Sequence, residues 1–477
     1  MGKTTGFLDY ERITPAKRPV EERLNDYREI YLPMPVETLQ MQAARCMDCG
    51  IPYCHALGCP LYNLIPEWND AVYRGHWEEA FQRLALTNNL PEITGRVCPA
   101  LCEASCSLSI NSSPVTIKQI ELAIIEKAFE REWVVSRPPL FETGKRVAVI
   151  GSGPSGLSAA ELLRRAGHSV VVFEKNDRPG GILRYGIPDF KLEKWVLDRR
   201  LELLKKEGVV FETDVDVGED ISARYLKKKF DAILIAVGCG KPRDLPVQGT
   251  GYEGIHFAMD YLTRSNRFVA GDIEESDLIS AKDKRVLVIG GGDTGSDCIG
   301  TANRQGAKKV YQIEILPKPR EWDKPYNPEW PNWPRILRTS SSHEEGCERE
   351  WGVETKRLSG RGLRVEKAYC VRVAWEFPPG KHPVKREVRD SEFTLDVDMI
   401  LLAVGFIHVE HSPLLKDLGV RLDRRGNIDI NDKYMTSEDG VFATGDATTG
   451  ASLVVRAISN GRRAAAYIDK YLKEQTP

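Results

Sequence analysis

The sequence has no marked excess of charge of either sign and no long hydrophobic run. Lys and Arg total 67 against 69 Asp and Glu, so the formal net charge is −2 over 477 residues. A chain of this balance creates no global field that attracts nucleic acid or an anionic membrane. The apolar run at residues 399–404 is far too short to cross a bilayer. We therefore expect no nucleic-acid partner and no membrane partner.

The N-terminal segment lacks the features of targeting and lipid anchoring. Residues 1–19 contain no apolar stretch of the kind that a secretory signal requires. Gly6 stands where N-myristoylation needs Ser or Thr. The 11 cysteines are odd in number and seven of them lie between Cys46 and Cys106, which argues against a disulfide framework. These features predict a cytoplasmic protein whose crowded thiolates bind metal.

Residues 146–181 carry the pattern of a dinucleotide-binding unit. A short apolar strand leads into Gly151, Gly153 and Gly156, which have the spacing G-x-G-x-x-G. These glycines permit a tight turn, the approach of a pyrophosphate and close packing of the next helix, whose N-terminus attracts phosphate. Glu174 ends the second strand about twenty residues further on, where an acidic side chain binds ribose hydroxyls. The residues assigned to this site are Gly151, Gly153, Pro154, Ser155, Gly156, Glu174, Lys175 and Gly181.

The same pattern recurs from Arg285, and its residues predict a nicotinamide nucleotide site. A strand, a helix at residues 293–305 and a second strand ending in Glu314 follow in the same order. Two copies are better explained by two nucleotides than by one, although a duplicated fold with an inactive second site is the alternative. Glu314 favours NADH over NADPH, unless Lys318 or Arg320 supplies a cation for a 2′-phosphate. The assigned residues are Gly290, Gly292, Asp293, Thr294 and Gly295.

A third segment, residues 440–468, is predicted to complete the first site. It contains a strand, a Gly-Asp pair and a helix that begins near Ala451. Asp446 at the strand end can accept a hydrogen bond from the ribityl chain of a flavin, with the helix start facing the flavin ring or pyrophosphate. A solvent-facing turn is the alternative. The residues assigned here are Gly445, Asp446, Ser452 and Leu453.

Seven cysteines form two groups that favour iron–sulfur clusters. Cys46, Cys49, Cys54 and Cys59 have the spacing C-x2-C-x4-C-x4-C-P, and Cys98, Cys102 and Cys106 follow as C-P-x2-C-x3-C. Zinc sites usually show two C-x2-C pairs, whereas closely spaced thiolates ending in Cys-Pro are typical of iron–sulfur proteins. Seven thiolates are one short of two all-cysteine 4Fe–4S centres, so either one centre has another ligand or only one exists. Zinc or structural thiols are the alternative.

Three further segments have a predicted local structure. Residues 68–86 and residues 115–133 show helical apolar spacing typical of core-facing helices. Residues 316–334 contain six prolines and three tryptophans. We expect a locally packed, polyproline-like loop there rather than a partner-binding surface.

Several stretches together resemble one family over essentially the whole chain. They are residues 45–60, TNNLPEITGRVCP (87–99), GSGPSGLSAAE (151–161), GGILRYGIPDFKLEK (180–194), GGGDTGSDC (290–298) and VFATGDATTGASLVVRAI (441–458). In these stretches the chain resembles the small (β) subunit of bacterial glutamate synthase and the matching C-terminal region of the plant and fungal enzymes. The N-terminal half of dihydropyrimidine dehydrogenase is a more distant relative.

The resemblance implies an α/β fold with an N-terminal α-helical iron–sulfur domain and two Rossmann-like domains, the second inserted in the first. The implied domains are 1–142 (two 4Fe–4S clusters), 143–270 and 399–477 (FAD), and 271–398 (NADPH or NADH). Cys46, Cys49, Cys54 and Cys106 are implied to hold one cluster. Cys59, Cys98 and Cys102 are implied to hold the other, with Glu121 as a non-cysteine ligand. No Arg pair follows the second Rossmann strand, so the coenzyme preference stays open.

The implied function is that of the electron-input subunit. NAD(P)H gives a hydride to the flavin, and single electrons leave through the clusters to FMN in a large (α) subunit, which makes glutamate from glutamine and 2-oxoglutarate. No side chain acts as catalytic acid or base in the hydride step. This chain alone is not expected to make glutamate, because Gly2 stands where a glutaminase needs cysteine and no room remains for an FMN barrel of about 250 residues.

Two alternatives remain for the function. One is a related NAD(P)H oxidoreductase that feeds ferredoxin, sulfur or another flavoprotein. The other is a zinc-bearing scaffold with vestigial nucleotide folds.

Overall fold

The N-terminal part of the chain is a set of short helices around the cysteines. The computed structural model describes residues 2–378 and 380–475. The helices are α1 (Gly6–Asp9), α2 (Val20–Arg23), α3 (Val36–Ala44), α4 (Ile65–Tyr73), α5 (Trp77–Thr87), α6 (Pro91–Val97), α7 (Leu101–Ala104) and α8 (Ile117–Glu130). A π-helical turn covers Cys54–Gly58 and a 3-10 turn covers Ser107–Ile110.

Both helical apolar patterns predicted in this part fall on helices that face the core. The amphipathic pattern at residues 115–133 corresponds to α8, which buries its apolar face. The pattern at residues 68–86 falls on α4 and α5, whose stripe residues are buried, and the chain turns between them at Gly75, with φ +79°. A left-handed residue ends a helix, and glycine adopts that conformation without strain.

The first nucleotide unit follows the helices. Its elements are β1 (Arg146–Ile150), α9 (Pro154–Arg165), β2 (Ser169–Phe173), α10 (Ile182–Tyr185), α11 (Lys194–Glu207), β3 (Val210–Glu212), α12 (Ala223–Lys229), β4 (Ala232–Ile235) and β5 (Lys241–Pro242). The strand–helix–strand of β1, α9 and β2 matches the sequence prediction closely.

The second nucleotide unit repeats this plan and carries an additional antiparallel sheet. Its elements are β6 (Ile255–Phe257), α13 (Ala258–Val269), β7 (Arg285–Ile289), α14 (Asp293–Arg304), β8 (Lys309–Glu314), α15 (Ser341–Glu344), β9 (Glu348–Trp351), β10 (Val353–Arg361), β11 (Arg364–Glu376), β12 (Val384–Glu387), β13 (Phe393–Asp396) and β14 (Met399–Leu402). Strands β6, β14, β7, β8 and β9 form a parallel sheet in that order. Strands β10 to β13 form the antiparallel sheet.

The C-terminal segment returns to the first unit. Its elements are β15 (Phe406–His408), α16 (Pro413–Leu418), β16 (Val441–Ala443), α17 (Asp446–Thr449) and α18 (Val454–Glu474). Strand β16 pairs in parallel with β4 and gives the sheet order β16-β4-β1-β2-β3. The second unit is therefore inserted into the first, as the fold class predicted.

Strand pairing corrects two of the expected domain boundaries, while the division into domains itself stays a prediction. The expected boundaries at residues 270 and 399 assign strands β6 and β14 to the first unit. In the structure both strands belong to the sheet of the second unit, because β14 pairs with β6 and with β7. The chain instead crosses between the units at β5 and β15, which pair with each other. Short apolar strands look alike in sequence, so only their hydrogen-bonded neighbours assign them to a sheet.

The iron–sulfur domain packs on both nucleotide units. It shares one continuous hydrophobic core with the first unit. The Pro- and Trp-rich loop of the second unit has neither helix nor strand, and it packs on the cysteine region. There the Trp330 indole N–H donates to the carbonyls of Ser105 (3.3 Å) and Cys106 (3.1 Å). Among the described residues, no helix has the length and apolarity to span a bilayer.

Candidate cofactor sites

The first glycine turn is shaped to let a ligand approach the backbone. Gly151 has φ +99°, and a Cβ there would lie 2.6 Å from the Ala236 carbonyl oxygen. A Cβ on Gly156 would lie 2.0 Å from the Gly151 carbonyl oxygen, so α9 packs directly on the turn. A Cβ on Gly153 would meet nothing within 4 Å. The outer glycines are therefore required by packing, and the middle one leaves open space at the N-terminus of α9, where Pro154 and Ser155 begin the helix.

Glu174 is held in place beside this turn. Its carboxylate accepts hydrogen bonds from the backbone N–H groups of Ser152 (3.2 Å) and Asn176 (2.9 Å). The side chain therefore joins the glycine turn to the chain beyond β2, where a ribose is bound in dinucleotide folds. Lys175 lies at the rim, with Nζ 3.8 Å from Glu410 Oε2.

The returning segment closes the same site. Gly445 has φ +66°, and a Cβ there would lie 2.7 Å from Ser155 Oγ, so the end of β16 lies against the start of α9. Asp446 follows, and burial raises the pKa of its carboxyl while the Ser452 hydroxyl donates to it at 2.6 Å. Leu453 is the N-cap residue of α18. Asp446 is therefore a partly buried, hydrogen-bonded acceptor rather than a freely solvated turn residue.

Gly181 also belongs to this group. It has φ +52°, and a Cβ there would lie 2.9 Å from Gly153 Cα. The segment after β2 therefore lies directly against the glycine turn. The residues predicted at the first site are thus brought together, apart from Lys175 at its rim.

The second glycine turn reproduces the first. A Cβ on Gly290, which has φ +124°, would lie 2.2 Å from the Ala403 carbonyl oxygen. A Cβ on Gly295 would lie 2.5 Å from the Gly290 carbonyl oxygen, and one on Gly292 would meet nothing within 4 Å. Asp293 and Thr294 form the first turn of α14 beside this opening.

Four of the cysteines surround one cavity. Cys46, Cys49, Cys54 and Cys106 line it together with Asn69, Ser107 and apolar side chains. Burial raises the pKa of the Cys46 thiol to about 12 and raises those of Cys54 and Cys106, and neighbouring thiols of the same group raise them further. Buried thiols with such high pKa values stay neutral unless a metal ion replaces the proton.

Asn69 is a functional candidate that sequence reasoning missed. Its side chain is fully buried, and both polar atoms of its amide have no hydrogen-bond partner. The amide lies near enough to the Cys46 thiol to lower its pKa against the larger effect of burial, although its geometry makes no hydrogen bond to that thiol. A buried amide without a partner is costly, so this one fits a group that accepts hydrogen bonds within the cavity.

The other three cysteines and Glu121 form a second group. Burial raises the pKa of Cys59 to about 12 and that of Cys98 to about 11, and the Glu121 carboxylate raises both further. Burial also raises the pKa of Cys102, with Cys59, Cys98 and Glu121 among the charges that add to it. The turn that precedes Cys59 lies directly on α7, because a Cβ on Gly58 would lie 2.7 Å from Cys102 Cα.

The Glu121 carboxylate is buried and oriented by two polar neighbours. Burial raises its pKa to about 7, while hydrogen bonds from the Thr94 hydroxyl and the Asn88 amide favour its charged form. The Asn88 amide donates at 3.2 Å, and the Thr94 hydroxyl donates to the same oxygen. Both donors lie in the stretch TNNLPEITGRVCP, but nothing in the local pattern shows which side chain they contact.

Within residues 2–378 and 380–475, no three His, Cys, Asp or Glu side chains converge closely enough to hold a single metal ion. The thiols of the first group instead line the walls of a cavity.

Comparisons with known proteins agree with this organisation. Residues 145–461 match the family described as pyridine nucleotide-disulphide oxidoreductase, and residues 23–133 match dihydropyrimidine dehydrogenase domain II, 4Fe-4S cluster. Together the two matches cover the glycine turns and all seven clustered cysteines.

Two relatives and one solved structure illustrate the similarity. The glutamate synthase (NADPH) small chain of Mycobacterium tuberculosis (strain CDC 1551 / Oshkosh) is 51% identical, covering 99% of this chain and 96% of that protein. The glutamate synthase (NADH) of Schizosaccharomyces pombe is 44% identical, covering 100% of this chain and 23% of that protein. The structure of a His57Gln mutant of FprA from Mycobacterium tuberculosis aligns with TM-score 0.55 at 16% identity, covering 69% of this chain and 85% of that one, and so supports the fold.

Proposed function

The chain belongs to the family of glutamate synthase small chains and is an NAD(P)H-dependent oxidoreductase, and from that premise we propose that it is the electron-input subunit of a glutamate synthase. It takes a hydride from NAD(P)H and passes the electrons to a separate large subunit. That subunit carries FMN and makes L-glutamate from L-glutamine and 2-oxoglutarate.

The first glycine turn fits FAD. The open side of Gly153 and the N-terminus of α9 would receive the pyrophosphate, Glu174 the adenosine ribose and Asp446 the ribityl chain. FAD bound there supplies a hydride acceptor that releases electrons one at a time. The second turn, at Gly290, Gly292 and Gly295, would hold the nicotinamide nucleotide in the facing unit. The protein's own contribution is to orient the two nucleotides and to exclude water between them.

The two groups of buried thiols fit two 4Fe–4S clusters, which are one-electron carriers. The first would be held by Cys46, Cys49, Cys54 and Cys106, and the second by Cys59, Cys98, Cys102 and Glu121. Asn88 and Thr94 orient the Glu121 carboxylate for ligation, as groups around a metal site commonly do.

Contacts between domains suggest the order in which electrons pass. The Ser459 hydroxyl on α18 donates to the carbonyl of Pro60, the residue after Cys59, at 2.8 Å. The Asn89 amide, next to Asn88, donates to the Ser158 carbonyl on α9 at 3.2 Å. The Glu121 group therefore borders the flavin unit, and we propose that electrons reach it before the group of Cys46.

The observation that carries the proposal is a combination within one chain. Two glycine turns, each with a hydrogen-bonded carboxylate, and two groups of largely buried thiols occur together, and the domain that carries the thiols packs on both nucleotide units. Transfer from a hydride donor to one-electron carriers requires such a combination. The names of the two relatives give NADPH for one and NADH for the other. The coenzyme therefore has to be argued from the site itself.

Reconstitution with a large subunit tests the proposal. Anaerobically purified protein should contain FAD and iron, its flavin should be reduced by NAD(P)H, and mixing with a glutamate synthase large subunit should give NAD(P)H-dependent glutamate formation. Cys54→Ala should retain flavin reduction and lose glutamate formation. The matched control Cys370→Ala, at a buried thiol in the antiparallel sheet, should retain both.

Two results would count against the proposal. Protein without iron after anaerobic reconstitution would remove the electron path. Flavin reduction without glutamate formation, combined with rapid reduction of ferredoxin or of sulfur, would instead favour a related oxidoreductase with another acceptor.

A further inference from the structure

Glu314 is fixed at the end of β8 by two backbone hydrogen bonds. Its Oε2 accepts from the Gly291 N–H at 2.6 Å, and its Oε1 accepts from the Leu316 N–H at 3.1 Å. A Cβ on Gly291 would lie 2.4 Å from Oε2, so the carboxylate lies directly on the glycine turn. Two donors hold it there, which makes its position independent of any bound nucleotide.

This arrangement is a close copy of the one at the first site. Glu174 Oε2 accepts from the Ser152 N–H at 3.2 Å, and Oε1 accepts from the Asn176 N–H at 2.9 Å. Ser152 and Gly291 occupy the same place in their glycine turns, and Asn176 and Leu316 each lie two residues beyond the carboxylate. The adenosine ribose of FAD, for which the first site is proposed, carries no 2′-phosphate. The second site is therefore built on the plan of a site for an unmodified ribose.

A 2′-phosphate at the second site would meet like charge. A phosphate monoester carries about −1.5 to −2 charges near neutral pH, and an anchored carboxylate at the ribose repels it. NADP sites compensate with a nearby cation that faces the phosphate. Among the described residues, none forms an ion pair with Glu314.

Three cations that follow β8 or lie on the neighbouring strand β9 are engaged elsewhere. Lys318 Nζ lies 2.5 Å from Glu321 Oε1. The Arg320 guanidinium stacks on Trp322 at 4.8 Å and lies 3.7 Å from Glu329. Arg349 stacks on Trp351 at 4.8 Å and donates to the Arg338 carbonyl. None of these contacts directs a positive charge at the Glu314 carboxylate.

We propose that the second site is specific for NADH over NADPH and that Glu314 is the residue that determines this specificity. The inference rests on the proposed function, because it assumes that a nicotinamide nucleotide occupies this turn. The carboxylate accepts hydrogen bonds from the ribose hydroxyls of NADH and excludes the additional phosphate of NADPH.

Rapid anaerobic mixing of the holoprotein with each nucleotide tests the proposal. The second-order rate constant of flavin bleaching should be roughly 10- to 100-fold higher for NADH than for NADPH, as expected for a juxtaposed like charge. Calorimetry, which involves no redox step, should show that ADP-ribose binds more tightly than its 2′-phosphate. Glu314→Ala should lower the ratio of the NADH rate constant to the NADPH rate constant at least about tenfold, because it removes both the repulsion of the 2′-phosphate and the acceptor for the ribose hydroxyls of NADH.

Two control variants accompany this test. Glu366→Ala removes an equally charged residue from β11 and should leave the ratio unchanged. Lys318→Ala should also leave it unchanged, because the lysine is paired with Glu321.

The outcomes separate the two proposals. A preference for NADPH, or a ratio insensitive to Glu314→Ala, would overturn the inference while leaving the proposed function intact. Loss of NADPH use on Lys318→Ala would show that the lysine binds the phosphate and would likewise overturn it. If neither nucleotide bleached the flavin, the proposed function and the inference would both be wrong. Should Glu314→Ala not fold, the wild-type rates and affinities decide alone.

Discussion

At the scale of residues, the chemistry depends on polar side chains whose roles come from their surroundings. The cysteines and glycines are recognisable by type and spacing. Asn69, Asn88 and Thr94 are not, because a buried amide or hydroxyl acquires a role only from the group it faces. In this protein they face the Cys46 thiol and the Glu121 carboxylate.

Removal of the Glu121 carboxylate tests its proposed ligand role. We expect Glu121→Ala to lower the iron content from about eight to about four atoms per chain, because one of the two proposed 4Fe–4S clusters loses a ligand. Glu121→Cys should restore iron binding, since thiolate is the usual ligand. Glu130→Ala, at the exposed end of α8, is the control, and full iron content in Glu121→Ala would contradict the ligand role.

The Asn69 amide should influence the cluster proposed beside it. Hydrogen bonds to the sulfurs of an iron–sulfur cluster help to set its reduction potential, and they stabilise the more negative reduced form. We therefore expect Asn69→Leu to make the potential of this cluster more negative while the other cluster is unchanged. Redox titration followed by electron paramagnetic resonance measures both. Equal potentials in the variant and the wild type would show that the amide makes no such bond.

At the scale of elements, the two strand–turn–helix units were predictable from the sequence. The hydrogen bonds from other segments that hold their glycine turns in place were not. Strand, glycine turn and helix follow one another within about 35 residues, so local periodicity and turn chemistry define them. The short helix α15 provides an example of such hydrogen bonds. His343 accepts the Ser340 N–H at Nδ1 (3.1 Å), and its Nε2 lies 3.0 Å from Gln312 Oε1. Gln312 in turn donates to the Gly290 carbonyl at 2.9 Å.

This chain of hydrogen bonds gives a pH dependence. Burial lowers the pKa of His343 to about 4, below its value in the unfolded chain. Its contribution to stability is therefore present above pH of about 6.5 and is lost as the pH falls towards 4, so the protein should be less stable at pH 5 than at pH 7. Thermal unfolding of the holoprotein at these two pH values should show the loss. His343→Gln should weaken the dependence, and an identical dependence in that variant would assign it to other groups.

At the scale of the whole molecule, buried charges join the iron–sulfur domain to the first nucleotide unit. The Arg200 guanidinium on α11 donates to both Glu92 oxygens on α6, at 2.6 and 3.0 Å. Both side chains are almost fully buried. An ion pair of this kind contributes little net stability but is costly to break, so it favours one relative arrangement of the two domains.

Breaking this pair should destabilise the protein strongly. Arg200→Met leaves the Glu92 carboxylate buried without its main partner, at a cost of about 3–5 kcal/mol. The double variant Glu92→Gln/Arg200→Met should recover part of this. Lys205→Met removes an exposed pair on the same helix and should cost less than about 1 kcal/mol. Thermal unfolding of the three variants measures these losses of stability. Similar losses in Arg200→Met and Lys205→Met would contradict the role of the buried pair.

The exit for electrons is expected at the group of Cys46. Ile51 and Leu57 flank Cys54 and are 69% and 64% exposed, which is unusual for apolar side chains beside a redox group. We expect the large subunit to cover them. Ile51→Glu should weaken binding of that subunit at least about tenfold, as for a central interface residue, without slowing flavin reduction.

Leu363→Glu is the matched control for Ile51→Glu. Leu363 is 72% exposed in the turn between β10 and β11, so the same change there should have no effect on binding. Sedimentation or gel filtration with the large subunit measures both variants, and equal binding would place the interface elsewhere.

The sequence by itself determined the two nucleotide units and the presence of a thiol-rich metal domain. Those signals are local: the glycine spacing follows from the geometry of one turn, and the cysteine spacing from a few residues of chain. Local pattern did not show the turn at Gly75, where one apolar stripe continues across two helices.

Only the tertiary structure decided what depends on distant residues coming together. It placed Cys106 in one cavity with three cysteines far back along the chain, and it assigned β6 and β14 to the second sheet. It also showed that Lys318 and Arg320 are engaged away from Glu314. Packing and hydrogen bonding between remote segments set these relations, and no spacing along the chain records them.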